Sequence, residues 1–84
     1  MAEQLSEVYT VINSLSDILA DISVPRNVRT KIEKIIKTLN EDIELLIKVN
    51  KALNDLGEIS SDVNLQSYTR TQLWNAMSLL EKLC

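Results

Sequence analysis

The chain has no histidine and no phenylalanine, and only one cysteine, one proline and one glycine in 84 residues. Each shortage excludes something. Without histidine there is no side chain suited by its ordinary pKa to proton transfer near neutral pH, and no imidazole to ligate a metal. The Glu-x-x-His pairs that hold metals inside helical bundles cannot be built either. One glycine is too few for a glycine-rich phosphate loop. Cys84 alone makes no disulfide framework, and its sequence neighbours offer nothing to lower a thiol pKa. No apolar run approaches the roughly 20 residues needed to span a bilayer. The expectation is a non-enzymatic protein with no cofactor, no metal, no small-molecule substrate and no membrane segment. The carboxylates Glu33, Glu41, Asp42 and Glu44 are read as solvated or helix-capping groups, not as acid-base pairs.

What the chain does have is 45% hydrophobic and 25% charged residues, the balance of a folded domain. So many Leu, Ile, Lys and Glu with so few helix breakers predict all-α structure. Residues 1–84 are read as one domain, and burial alone stabilises a domain this small only marginally, which favours a homo-oligomer. One unpaired thiol, and an acid in the opening Met1-Ala2-Glu3-Gln4 where a leader would be charged and then apolar, predict a reducing cytoplasmic setting.

The organising stretch is Ser23-Val24-Pro25-Arg26-Asn27-Val28-Arg29-Thr30. Proline lacks an N–H and has a helical φ, so it suits a helix start, with Ser23 as the expected N-cap. Upstream, Leu5, Val8, Ile12, Leu15, Leu19 and Ile22 recur at steps of three and four, one stripe of a helix, which Val11 and Ile18 widen. Downstream, Val28, Ile32, Ile35, Ile36 and Leu39 repeat the pattern. No Gly or Pro lies between Pro25 and Gly57, so one unbroken helix also satisfies local propensity there; Asn40-Glu41-Asp42, a cap followed by two acids, predicts a new helix instead. Ile43, Leu46, Val49, Leu53, Leu56 and Ile59 form its stripe, and a fourth helix turns Thr69, Leu73, Ala76, Met77 and Leu80 inward. The predicted helices are 3–21, 24–39, 41–59 and 65–82. The expected core is Leu15, Leu19, Ile22, Ile32, Ile35, Leu53, Leu56, Ile59, Leu73 and Leu80.

The chain repeats itself. Shifted by 41, Val28-Arg29-Thr30 falls on Thr69-Arg70-Thr71, and Ile32, Ile35 and Leu39 on Leu73, Ala76 and Leu80. Helices one and three agree at a shift of 37, where Asp21-Ile22-Ser23 meets Glu58-Ile59-Ser60; Ser61 to Asn64 are then extra residues in the second turn, and Asn64 is the second cap. Two copies of a helical hairpin, each apolar on one face, bury those faces best against each other. The result is an up-and-down four-helix bundle built from two repeated helical hairpins.

Charge is laid out unevenly within the net −3. Residues 1–24 carry acids only, 25–40 carry Arg26, Arg29, Lys31, Lys34 and Lys37 against Glu33, and 41–62 return to acids. Basic and acidic helices lying side by side account for this; Arg26, Lys31, Lys34 and Lys37 as an anion face for nucleic acid or a ribonucleoprotein are the alternative. Arg29 and Arg70 sit early in their helices, where the dipole disfavours a base, and are expected to pair with Asp21 and Glu58. Trp74 breaks the repeat, falling opposite Glu33. It either covers the bundle end or anchors an interface, with Tyr68 and Leu79 as further contacts. Self-association through the fourth helix is the leading expectation.

Val24-Pro25-Arg26-Asn27-Val28-Arg29, followed by Arg70-Thr71-x-Leu73-Trp74-Asn75-x-x-Ser78-x-Leu80-Glu81, resembles an uncharacterised family of small archaeal proteins. The resemblance covers nearly the whole chain. It implies an up-and-down four-helix bundle and carries no activity, so it assigns no catalytic residue. The chain departs from the usual Asp-Pro-Asn-x-Pro second turn, having Ser61-Asp62-Val63-Asn64-Leu65-Gln66, and has Tyr68 where histidine is frequent.

Overall fold

The structure, a computed structural model, describes residues 2–83, with side chains from Ser6 onward. Leu5, assigned to the first stripe, and Cys84 fall outside those described side chains. Four helices follow one another: α1 (Ala2–Leu19), α2 (Arg26–Asn40), α3 (Leu45–Ser60) and α4 (Ser67–Glu81). Among the described residues each helix packs on two neighbours and none on its diagonal: α1 on α2 and α4, and α3 on α2 and α4. That is an up-and-down four-helix bundle, 36 Å long and 20 Å across. The turns α1–α2 and α3–α4 share one end, and the α2–α3 connection lies at the other.

The repeat is more regular than the sequence comparison suggests. Val8, Val11, Leu15, Ile18, Val24, Val28, Ile32, Ile35 and Leu39 are buried, and adding 41 to each reaches Val49, Ala52, Leu56, Ile59, Leu65, Thr69, Leu73, Ala76 and Leu80, all buried too. One shift therefore relates the whole of both hairpins, which corrects the shift of 37 for α1 and α3. The second turn has no extra residues: 20–25 and 61–66 are equal in length and alike in backbone. Asp21-Ile22-Ser23 corresponds to Asp62-Val63-Asn64, not to Glu58-Ile59-Ser60. Similar residues at the wrong register are an easy error between amphipathic helices, where any shift of about one turn superposes apolar positions.

Local chemistry explains the ends. Ser23 does not cap α2. Its N–H and hydroxyl both donate to Asp21 Oδ1, at 2.9 and 2.7 Å, and the N-cap is Pro25, with no side-chain cap bond. Asn64 likewise donates its N–H to Asp62 Oδ1 at 2.9 Å, leaving Gln66 as the N-cap of α4. Both turns are Asx turns, which use the aspartate to accept from the residue two ahead. Asn40 does not open α3. It is the last residue of α2, its amide donating to the Ile36 carbonyl at 3.1 Å, and the chain is extended at Glu41 and at the N-cap Glu44. The chain nevertheless breaks between α2 and α3, so the single long helix is not formed.

Inward residues of α2 and α4 follow the predicted stripes, with Ile36 and Met77 half-buried at the margin. In α1 the stripe is rotated: Val11 and Ile18 are buried, Ile12 and Leu19 are half-buried, and Ile22, expected in the core, is 95% exposed at the tip of the first turn. The apolar arc of α1 is wider than one stripe, and the positions of α2 and α4 decide which part of it closes. In α3 the same holds for Ala52, which is buried, while Leu53 is half-buried and Leu46 is 52% exposed. The buried hydrophobic set is wholly aliphatic.

Candidate functional site

Each turn at the shared end is held by an arginine from the following helix. Arg29 Nη1 donates to the Asp21 carbonyl at 2.8 Å. Arg70 does more, Nη2 donating to the Asp62 carbonyl at 2.8 Å and Nε to the Ser60 carbonyl at 2.9 Å. The arginines bind main-chain oxygens: Asp21 and Asp62 lie in the turns just past α1 and α3, and Ser60 is the last residue of α3, where the negative end of the helix dipole lies. This corrects the pairing expected for Arg70: Glu58 is exposed and takes no part, and the residue equivalent to Asp21 is Asp62. Asn27 ties the two turns together by donating its amide to Asp62 Oδ2 at 3.2 Å.

The turn aspartates are electrostatically prepared for this. The Ser23 hydroxyl, then its N–H, with the Arg29 charge behind them, hold the Asp21 carboxyl below its ordinary value. For Asp62 the Asn64 N–H leads, followed by the Asn27 amide, with Lys31 and Arg70 adding their field. Sequence reasoning missed Asp62 because it sat in a supposed insertion. The signal was present as Asp-Ile-Ser-Val and Asp-Val-Asn-Leu, separated by the same 41 residues as the paired arginines. At the tips of these turns Ile22 and Val63, equivalent positions, are 95% and 90% exposed.

The proposed anion face divides. Arg26, Lys31, Lys34 and Lys37 are all exposed on α2. However, Lys31 and Lys34 line a shallow groove whose other wall is Asp55 and Glu58 of α3, and an adjoining space of about 320 Å³ is bounded by Lys34, Thr38, Glu41, Lys51, Asn54 and Asp55. Two of the four bases thus face acids across the α2–α3 seam, which weakens the positive field available to a polyanion.

The three aromatic residues of the chain all stand at the surface: Tyr9 is 59% exposed, Tyr68 71% and Trp74 53%. Tyr68 lies in the first turn of α4, at the turn end of the bundle. Trp74 is further along and about 120° around the helix from Tyr68 at 3.6 residues per turn, so the two do not share one face. Leu79, the third candidate contact, is half-buried and packs against the core. Among the described residues, no helix is long and apolar enough to cross a membrane.

A model of the uncharacterised protein family UPF0147 matches residues 1–83. A UPF0147 protein of Methanosarcina mazei is 41% identical over 68 residues, 80% of this chain and 73% of that one. One from Pyrococcus furiosus is 32% identical over 82 residues, 96% of this chain and 86% of its own. The crystal structure of the unknown-function protein MMP1188 superposes with a TM-score of 0.83 at 36% identity, covering 89% of this chain and 86% of that one. Sequence match along almost the whole length and a shared bundle agree with the paired motifs of α2 and α4: the chain belongs to UPF0147, an uncharacterised family of small archaeal proteins.

Proposed function

We propose that this protein is a non-enzymatic helical interaction module of the cytoplasm that self-associates through the outer face of α4, with Trp74 as its anchor. One observation carries the reading: a core built only of aliphatic side chains leaves all three aromatic residues more than half exposed. Tryptophan and tyrosine bury large areas at little entropic cost and are enriched where protein surfaces meet. Trp74 also stands where the first hairpin has the exposed, charged Glu33, so the two outer faces differ although the two cores match. Tyr68, about 120° around α4 at the turn end, lies outside the Trp74 contact.

Sedimentation of the wild type and Trp74→Ala across a concentration series tests this, beside a nucleic-acid titration at two salt concentrations. A concentration-dependent oligomer that Trp74→Ala dissociates is the expected result. A monomer at every concentration that binds nucleic acid, with affinity falling steeply as salt rises, replaces the reading with binding through Arg26, Lys31, Lys34 and Lys37. An oligomer unaffected by the substitution removes Trp74 as the anchor.

A further inference from the structure

The two kinds of connection in this bundle differ in what enforces them. Residues 20–25 and 61–66 reverse the chain with Asx turns and arginine clasps. Segment 41–44 contains neither Gly nor Pro, and Glu44 opens α3 with no side-chain cap bond. Its side-chain tie is Lys48 Nζ donating to the Glu41 carbonyl at 3.3 Å, an exposed contact longer than either arginine clasp, so little local chemistry prevents α2 from running on. A continuous helix would offer the Leu45, Leu46 and Ile47 N–H groups the carbonyls of Glu41, Asp42 and Ile43, and would place Glu44 one turn before Lys48, the favourable order for such a pair.

The apolar pattern is already in phase for it. Val28, Ile32, Ile35 and Leu39 lead on to Leu46, Val49, Leu53 and Leu56 in alternating steps of four and three, with Asp42 at the single skipped position. This is a heptad seam running through the break. Leu46 lies on that seam yet is 52% exposed in the closed bundle.

We infer that segment 41–44 opens into one continuous α2–α3 helix, and that two copies of the chain then exchange hairpins, the α1–α2 hairpin of one packing on the α3–α4 hairpin of the other. The occupant is a second copy because the exposed face is the one that α3 and α4 of the same sequence already cover, so exchange reuses the existing core contacts. Leu46 gains cover where the two long helices pass. Short hinges are the usual route to such exchange. The device is independent of Trp74, since the hairpin cores join the copies.

The full chain is unfolded in guanidinium chloride, refolded at low and high concentration, and separated by size with light scattering. Two variants act in opposite directions. Glu44 has φ −52 and ψ 136, close to φ −57 and ψ 147 at Pro25, so Glu44→Pro fits the closed hinge. Inside a continuous helix, proline lowers helix formation on the order of a hundredfold per hinge. Asp42→Ala fills the seam and raises helix propensity in both hinges, strengthening dimerisation roughly tenfold. Expected are a slowly dissociating dimer after refolding the wild type at high concentration, more of it with Asp42→Ala, none with Glu44→Pro, and no change with Trp74→Ala. Asp42→Ala that stays monomeric at every concentration overturns the inference. So does a slowly dissociating dimer that persists in Glu44→Pro; a rapidly exchanging dimer lost in Trp74→Ala is instead the α4-surface association proposed above.

Discussion

Replacing Arg70 with alanine removes two charge-assisted hydrogen bonds, to the Ser60 and Asp62 carbonyls at 2.9 and 2.8 Å, whereas the equivalent change at Arg29 removes one, to the Asp21 carbonyl at 2.8 Å. The two residues occupy matching positions, so the pair controls for helix propensity and for place in the fold. Hydrogen bonds to charged groups contribute about 1.5–3 kcal/mol each in buried settings, and these half-buried ones fall at or below the lower end. Arg70→Ala is therefore expected to cost roughly 2–3 kcal/mol and Arg29→Ala roughly 1–1.5 kcal/mol. The asymmetry has a second source. The Asp21 and Asp62 carbonyls keep a backbone donor, Val24 and Leu65 at 3.2 Å in each case. The Ser60 carbonyl does not have that support from Asn64, whose N–H is taken by the Asp62 side chain. A chain of this length is stabilised by about 4–12 kcal/mol in all, so Arg70→Ala takes away a large share and lowers Tm by roughly 10–25 °C. Guanidinium unfolding followed by far-ultraviolet circular dichroism measures both variants. Equal losses, or a larger loss at Arg29, would refute the clasp argument, and Arg70→Lys should recover only part because an ammonium cannot reach two carbonyls in the geometry of a guanidinium fork.

Because the folded pKa of Asp21 and Asp62 lies below the ordinary 3.8, both aspartates contribute stability that is fully present above that pH and lost as pH falls through the lower folded values; acid unfolding of Asp21→Asn and Asp62→Asn should accordingly show a flatter limb below about pH 4 than the wild type. Leu56→Ala, at a fully buried site, should cost roughly 2–5 kcal/mol, while Ile22→Ala, at a site 95% exposed, should leave the denaturant midpoint nearly unchanged, and a costly Ile22→Ala would mean that the first turn folds back onto the bundle.

The sequence by itself determined the helical class, the number of helices, the hairpin repeat and the inward faces of α2 and α4. These follow from short-range physics. Val28, Ile32, Ile35 and Leu39 form a narrow stripe with charges on every other side, so only one face of α2 can turn inward. The paired arginines were legible as well, because a base in the first turn of a helix opposes the dipole and needs another partner.

Tertiary structure decided what periodicity leaves degenerate. In α1 the residues Val8, Val11, Ile12, Leu15, Ile18 and Leu19 cover a broad arc, and the placement of α2 and α4 sends Val11 and Ile18 inward and leaves Ile12 and Leu19 half-buried, while Ile22 lies past the helix end in the Asp21 turn and is exposed. The register between α1 and α3 is set by packing across the bundle, which superposes Asp21 on Asp62, while similarity of residue type pointed to Glu58. The break at 41–44, which Asn40-Glu41-Asp42 signals, has only weak local support, an exposed Lys48 contact to the Glu41 carbonyl. The apolar stripe and the helix propensity both run through it, and the chain turns there because folding back lets the second hairpin cover the apolar face of the first.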